Sequence, residues 1–131
     1  VLMHPVLRGE CESDIVKKII CSSEADEEIA VVYRNNYQGD LLKEELGDSI
    51  TNKAVFITMH ASKGLEFNTV IITGISDKII PDSGSDLEEE RRLFYVAITR
   101  AKDNLHLVYH KNSKGELPRF IKELRFIKQL T

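Results

Sequence analysis

Five short runs of apolar, mostly β-branched residues recur along the chain and predict five β-strands. They cover residues 1–3, Ile29–Tyr33, 54–58, 69–73 and 105–109. Nearly continuous apolar runs of this length are typical of strands that are covered on both faces, as in parallel sheets. The sequence therefore predicts a sheet with helices on either side.

Between these runs, apolar residues recur with helical spacing. Ser13 or Asp14 is suited to cap a helix that runs to Ile20, and a second helix over residues 38–46 stops at Gly47. Glycine is a common C-terminal signal because it accepts the left-handed conformation. A last helix begins near Pro118, and its predicted core positions are Phe120, Ile121 and Leu124, with Ile127 as a further candidate.

The strongest helical pattern covers residues 87–101. Asp86 and Glu89 have the spacing of a capping box, and Glu88 precedes Arg92 by four residues. The apolar positions form one stripe, which we interpret as core without assigning it a function: Leu93, Phe94, Ala97, Ile98 and Ala101.

Strands that alternate with helices predict an α/β domain with a mostly parallel sheet, and 131 residues suffice for one such domain. The polar segments 34–36, 59–66 and 75–86 each follow a strand. Since parallel sheets bind ligands beyond the carboxyl ends of their strands, we expect all three segments at that edge.

Composition narrows the class of protein. Apolar residues make up 42% of the chain and charged residues 30%, and no apolar run approaches the roughly 20 residues that span a bilayer. This absence predicts no membrane contact. Cys11 and Cys21 lie in no metal-binding pattern, so we expect reduced, structural thiols in a cytoplasmic protein and no metal site. The net charge of −3 argues against a free-standing, high-affinity DNA-binding module, but it allows a groove that a second domain completes.

Residues 58–67 read Thr-Met-His-Ala-Ser-Lys-Gly-Leu-Glu-Phe. This segment closely resembles the T-x-H-x-x-K-G-L-E-F motif of superfamily 1 DNA helicases of the UvrD/Rep/PcrA type. The resemblance implies that Thr58 and His60 face single-stranded DNA, while Gly64 and Glu66 lie at ATP, with the carboxylate on the ribose. Lys63 favours the 3′→5′ subgroup. A buried strand followed by a solvated polar turn is the alternative that needs no ligand.

Residues 88–101 end in Val-Ala-Ile-Thr-Arg-Ala and resemble a second motif of the same helicases. The resemblance implies that Arg100 reaches the γ-phosphate of ATP held by another domain, as an arginine finger. A guanidinium suits this role because it stays ionised and binds phosphate oxygens in a fork. The alternative is a salt-bridging arginine at a helix C-terminus. Arg91 and Arg92 we interpret as structural ion-pair partners.

A weaker similarity covers residues 29–38, Ile-Ala-Val-Val-Tyr-Arg-Asn-Asn-Tyr-Gln, which follow the pattern A-x-L-Y-R-x-N-x-Q of these helicases. It implies that Arg34 and Asn36 touch the DNA backbone. A strand with an Asx-rich turn would need no such function.

The resemblance implies the second, C-terminal RecA-like motor domain of a helicase. No G-x-x-x-x-G-K-[ST] occurs, nor a strand-ending Asp-Glu pair, so we expect ATP and Mg²⁺ to be held mainly by an N-terminal RecA-like domain. Only residues 38–53 stand where UvrD-type proteins insert a large accessory domain. The start at Val1, without an initiator Met, suggests a fragment.

Two functions follow from the sequence. The first is the C-terminal motor domain of an ATP-dependent 3′–5′ DNA helicase or translocase, inactive without its partner domain. The second is a degenerate helicase-like domain that acts as a non-catalytic DNA- or protein-interaction module. A DNA or an RNA substrate, a fused nuclease and the physiological pathway, DNA repair included, all remain open at this stage.

Overall fold

A five-stranded sheet, with every strand parallel, forms the centre of a computed structural model of the chain, which describes residues 1–130 and the side chains of 1–124. The elements, in chain order, are β1 Leu2–Pro5, α1 Glu12–Ser22, β2 Ile29–Tyr33, α2 Asn36–Leu46, α3 Asp48–Thr51, β3 Val55–Thr58, β4 Phe67–Ile75, α4 Leu87–Ile98, β5 Ala101–Tyr109 and α5 Arg119–Leu130.

The strand order is β1-β5-β4-β2-β3. All five residues of β2 are buried, as are eight of the nine in β4, whereas the edge strands β1 and β3 are partly exposed. The apolar runs thus correspond to strands covered on both faces only at the centre of the sheet. The predicted α/β class with a parallel sheet is confirmed, and the observed sheet is entirely parallel.

Helices cover the two faces of the sheet and enclose two separate cores. Helices α1, α2 and α3 cover one face, where Val16, Leu42 and Ile50 meet Val31 and Ile71. Helices α4 and α5 cover the other face, where the largest fully buried side chains are Phe94 and Phe120, stacked at 5.3 Å between ring centroids. Alternate residues of β2 and β4 face opposite cores, as the period of two in a strand requires.

The ends of the helices differ from several of the predictions. Helix α1 begins at Glu12 after Cys11, so neither Ser13 nor Asp14 caps it. The capping box predicted at Asp86 is absent, because Asp86 makes no side-chain bond to the helix. A complete capping box lies instead at α2, between Asn35 and Gln38.

Helix α4 ends at Ile98, and Ala101 is the first residue of β5, so the predicted helix was three residues too long. Strands β4 and β5 begin at Phe67 and Ala101, earlier than the apolar runs indicated, because these two residues pair with each other. Residues 102–104 of β5 are polar, so the apolar pattern did not indicate where this strand begins.

Helix α5 packs on α4 through a charged contact as well as an aromatic one. The guanidinium of Arg91 donates from Nε and Nη2 to the two carboxylate oxygens of Glu123, at 2.8 Å each, and contacts Glu88 as well. These hydrogen bonds from Arg91 lower the pKa of Glu123. The structural role predicted for Arg91 is confirmed, although its main partner lies on another helix. In α5, Phe120 and Ile121 are buried as predicted and Leu124 is partly buried, while Ile127 lies outside the described side chains.

Two histidines on neighbouring strands contact each other near one edge of the sheet. His4 Nε2 of β1 lies 2.9 Å from His106 Nδ1 of β5, and the rings stack. Burial lowers the pKa of both side chains, and the nearby charge of His4 lowers that of His106 further. The folded state therefore favours neutral histidines.

We expect the chain to lose stability as the pH falls below about 6.5, the ordinary histidine pKa. A histidine with a lowered folded pKa binds protons more readily when unfolded, so this stability is complete above 6.5 and lost as the pH falls through the lowered values. Chemical unfolding at a series of pH values measures it. Between pH 7 and 5 the stability should fall in the wild type and change less in the His4→Asn/His106→Asn variant. An equal slope in the two proteins would contradict the prediction.

Candidate functional site

The segment 58–66 crosses the sheet from its carboxyl edge to its amino edge. At its start, Thr58 pairs with Tyr33 at the end of β2, and the Met59 amide donates to the Tyr33 carbonyl at 2.8 Å. At its end, Phe67 pairs with Ala101 at the start of β5. The prediction that all of 59–66 lies at the carboxyl edge is therefore right for its first residues and wrong for its last. Since β3 and β4 are parallel, their connection must return to the amino edge.

The crossing segment is built from successive tight turns. Met59 is buried in the core under α4, and Ser62, which is fully buried, donates its hydroxyl to the Met59 carbonyl at 2.7 Å. The Thr58 hydroxyl accepts the Ala61 amide at 3.2 Å. Gly64 has φ +86°, which a residue with a side chain adopts only with strain. These contacts leave His60 exposed at the carboxyl edge.

At the amino edge, Arg100 lies against the residues that precede β4. Its Nη1 donates to the Leu65 carbonyl and its Nε to the Val96 carbonyl, both at 3.1 Å. Its Nη2 donates to the Thr99 hydroxyl, also at 3.1 Å. All three acceptors are neutral, and within the described side chains no carboxylate lies within ion-pair distance of Arg100. The exposed Glu66 follows Leu65 directly, so Gly64, Glu66 and Arg100 lie at one edge.

At the carboxyl edge, Arg34 follows β2 and binds a buried carboxylate. Its Nε and Nη2 donate to the two oxygens of Glu90 at 2.9 and 3.0 Å, and Glu90 is 3% exposed. Asp82 completes the group: its amide donates to Glu90 at 2.8 Å, and its carboxylate lies 3.7 Å from Arg34 Nη2. The guanidinium is thus shared between two carboxylates.

Asn36, the first residue of α2, is exposed beside this group, and Gln38 holds the turn between strand and helix. The Gln38 side-chain oxygen accepts the amides of Arg34 and Asn35, at 3.1 and 2.9 Å. The structure therefore brings Arg34, Asn36, Thr58 and His60 to one edge of the sheet, and Gly64, Glu66 and Arg100 to the other.

A second, partly buried carboxylate lies near the carboxyl ends of β4 and β5. Glu12, on the first turn of α1, accepts the Thr73 hydroxyl at 2.8 Å, accepts the Gly74 amide, and lies 3.5 Å from His110 Nε2. Burial acts to raise the pKa of Glu12, but the hydrogen bonds from His110 and Thr73 and the charge of His110 lower it overall. This cluster joins α1 to the sheet.

Comparison with known proteins identifies the architecture. The family of UvrD-like helicase C-terminal domains matches residues 41–112, more than half of the chain. The chain belongs to this family. The family match confirms the resemblance read from residues 58–67 and 88–101, both of which lie inside the matched range.

Relatives of this UvrD-like domain carry helicase names. A probable DNA helicase II homologue of Mycoplasma capricolum is 38% identical over 114 residues, which cover 82% of this chain and 15% of that protein. The ATP-dependent DNA helicase Rep of Buchnera aphidicola is 43% identical over 74 residues, 53% of this chain and 12% of its own. The chain thus spans about a seventh of the length of these relatives.

A solved structure supports the fold. The C-terminal domain of a possible DNA helicase from Lactobacillus plantarum superposes with a TM-score of 0.69 at 18% identity, covering 92% of this chain and 77% of that one. At this identity the likeness concerns the fold alone. The three-layer, RecA-like arrangement predicted for the UvrD-like domain agrees with it.

Among residues 1–130 no helix is long and apolar enough to cross a membrane, and the part of the chain that the structure describes contains no group of three or more metal-ligating side chains. Cys11 and Cys21 are free thiols, and both are exposed, so they are not part of the core and the structural role expected for them is wrong.

The residue that the sequence analysis missed is Glu90. In the sequence it is one of three consecutive glutamates, 88–90, yet it is buried and binds Arg34. The helical spacing indicates that Glu90 faces the core, because it precedes Phe94 by four residues and Ala97 by seven, and both are buried. A carboxylate on the apolar stripe of a helix requires a cationic partner.

The hydroxyl of Ser62 should stabilise the UvrD-like domain through the crossing segment. Ser62→Ala removes the hydroxyl without adding volume and leaves the buried Met59 carbonyl without this donor, so we expect a loss of about 1–3 kcal/mol in the free energy of unfolding. Denaturant unfolding measures it. Ser83→Ala, at an exposed loop position, is the matched control and should change stability by less than about 0.5 kcal/mol. Equal effects of the two substitutions would contradict the prediction.

Proposed function

We propose that this chain is the C-terminal motor domain of an ATP-dependent 3′–5′ DNA helicase or translocase. The observation that carries the proposal is the separation of the two residue sets: Gly64, Glu66 and Arg100 lie at the amino edge of the sheet, and Asn36, Thr58 and His60 at the carboxyl edge. Such a division suits a domain that binds nucleotide on one side and a nucleic-acid strand on the other.

The amino edge suits a nucleotide held by a second domain. Arg100 carries a positive charge whose acceptors are two backbone carbonyls and a hydroxyl, and each can be exchanged for a phosphate oxygen without leaving a buried carboxylate unpaired. Glu66 is exposed two residues after Gly64, so its carboxylate is free to accept ribose hydroxyls. ATP with Mg²⁺, bound mainly by the N-terminal RecA-like domain, would supply the phosphoryl group, and Arg100 would neutralise charge that develops on it.

The carboxyl edge suits a single strand. Thr58 is the last residue of β3, His60 follows it in the crossing segment, and Asn36 begins the neighbouring helix α2. A hydroxyl, an imidazole and an amide group therefore lie where β2 and β3 end. These are groups that position a strand through phosphate and sugar contacts without reading its sequence. We leave Arg34 out of this strand contact, because two of its nitrogen donors already bind Glu90.

The crossing segment supplies the physical connection between the two edges. A rearrangement of Glu66 and Leu65 toward nucleotide would be carried through the turns around Ser62 to His60 and Thr58. Repeated closing and opening against the N-terminal domain would then move the strand, in the 3′–5′ direction that Lys63 and the UvrD-like membership favour. Alone, the chain lacks a nucleotide-binding loop of the P-loop kind, and we expect no ATP hydrolysis from it.

The second candidate is a degenerate domain that retains only protein or DNA contacts. The geometry at Arg100 disfavours it, because a guanidinium that meets no carboxylate among the described side chains, and lies at the same edge as an exposed glutamate, has no evident use in a domain without nucleotide. The single domain, with no large accessory insertion between α2 and β3, is common to both candidates and is part of the proposal.

In a protein that joins this domain to its P-loop domain, Arg100→Ala should reduce ATP turnover by at least about 100-fold. Removal of an arginine finger in phosphoryl transfer has an effect of this size or larger. Steady-state ATPase assays with saturating single-stranded DNA measure the effect, and single-strand affinity should change little.

Arg92→Ala provides the matched control, since Arg92 is an exposed arginine on the same helix and takes no part in either edge. We expect its turnover to equal that of the wild type. If Arg100→Ala turned over ATP as fast as Arg92→Ala, the assignment of Arg100 to the nucleotide would be wrong.

A further inference from the structure

The guanidinium of Arg34 and the carboxylate of Glu90 form a buried, two-point ion pair. The side chain of Arg34 is 11% exposed and that of Glu90 is 4% exposed, and the two N–H···O distances are 2.9 and 3.0 Å. Parallel bonds of this kind fix orientation as well as distance. Breaking such a pair from one side leaves a buried charge without a partner, which is strongly destabilising.

The charges around Arg34 disfavour a phosphate ligand. Asp82 contributes a second carboxylate 3.7 Å from Nη2, so one guanidinium faces two carboxylates and the group carries a net charge of −1. A DNA phosphate that approached it would meet this negative charge, and the Nε and Nη2 donors are already bound to Glu90. Arg100, by contrast, has neutral acceptors alone among the side chains that the structure describes.

Glu90 lies in the first turn of α4, and the end of the same helix leads to Arg100. The helix has 12 residues, a length of about 18 Å at the α-helical rise, and it spans from the carboxyl edge to the amino edge of the sheet. The Arg34–Glu90 pair attaches the start of this helix to the end of β2, while Arg91 attaches it to α5 through Glu123. The position of Arg100 therefore depends on where these contacts hold α4.

We propose that Arg34 and Glu90 are positioning residues: their ion pair fixes α4, and through it Arg100, instead of Arg34 serving as a contact to the DNA backbone. The inference rests on the proposed function of Arg100. It reassigns one residue of the predicted strand contact and gives a role to a buried carboxylate that the nucleotide and strand contacts leave unused.

The test uses the protein in which this domain is joined to its P-loop domain, with three variants. Arg34→Lys keeps the charge, and hence the attraction to phosphate, but cannot form the two parallel bonds to Glu90. Glu90→Gln removes the carboxylate while its side-chain oxygen can still accept the Asp82 amide. Arg34→Met/Glu90→Gln removes both charges together and so leaves neither buried without a partner. Arg8→Met, at an exposed arginine outside this network, is the control.

ATP turnover, the concentration of oligo-dT that gives half-maximal stimulation, and the salt dependence of that concentration are the measurements. If the pair positions Arg100, Arg34→Lys and Glu90→Gln each lower turnover by about 10- to 100-fold, the range that misplacement of a catalytic group produces. The double variant is then no worse than either single one, because the two residues act as a unit. The half-maximal concentration stays within about twofold of the wild type, and Arg8→Met changes neither quantity.

Unchanged turnover in Arg34→Lys and Glu90→Gln would overturn the inference. The inference would also be wrong if the double variant needed more DNA for half-maximal stimulation and the salt dependence of that concentration had a slope smaller by about one. That is the result expected for the loss of one phosphate contact. Arg100→Ala and His60→Ala are measured alongside. Normal turnover in Arg100→Ala, or normal DNA dependence in His60→Ala, would count against the proposed function itself. If Arg100→Ala lowers turnover but Glu90→Gln does not, only the positioning role is wrong.

Discussion

The pairing of β4 with β5 at their first residues is the constraint on which the amino edge depends. The Phe67 amide donates to the Arg100 carbonyl at 2.9 Å, and Phe67 lies beside Ala101 in the register. This pairing joins two segments that are 33 residues apart in sequence, and it places Glu66 and Arg100 immediately before two adjacent parallel strands. Without it, the Leu65 carbonyl would not meet the Arg100 guanidinium, and neither residue would have a defined position relative to the other.

The same topology explains why the other predicted contacts lie at the opposite edge. Residues that follow a strand lie at the carboxyl edge, and residues that precede one lie at the amino edge, so Thr58 and Glu66 separate although only seven residues lie between them. Ser62 and Met59, both buried, stabilise the turns that make this crossing. A single connection of parallel strands thus carries both halves of one sequence motif.

Most of the architecture could be predicted from hydrophobic periodicity, because the strands β2 and β4 and the stripe of α4 have strong, regular patterns. The starts of β4 and β5 could not, since Asn68 and residues 102–104 are polar and only pairing between the strands includes them. The site residues were found by resemblance, but their division between two edges required the strand register. Glu90 was missed because it follows two exposed glutamates, Glu88 and Glu89. In a run of identical residues, the residue type alone does not indicate which of them faces the core.

Arg34 and Arg100 show how burial and charge separate two arginines that resemblance alone treats alike. Each follows or precedes a strand, each lies near one end of α4, and each matches a family position that the resemblance assigns to a ligand. Arg34 faces two carboxylates, so its charge is already more than neutralised within the domain. Within the described side chains, Arg100 binds carbonyl and hydroxyl oxygens and no carboxylate. The number of carboxylates around a guanidinium depends on tertiary structure, and this number is our reason for proposing different roles for the two arginines.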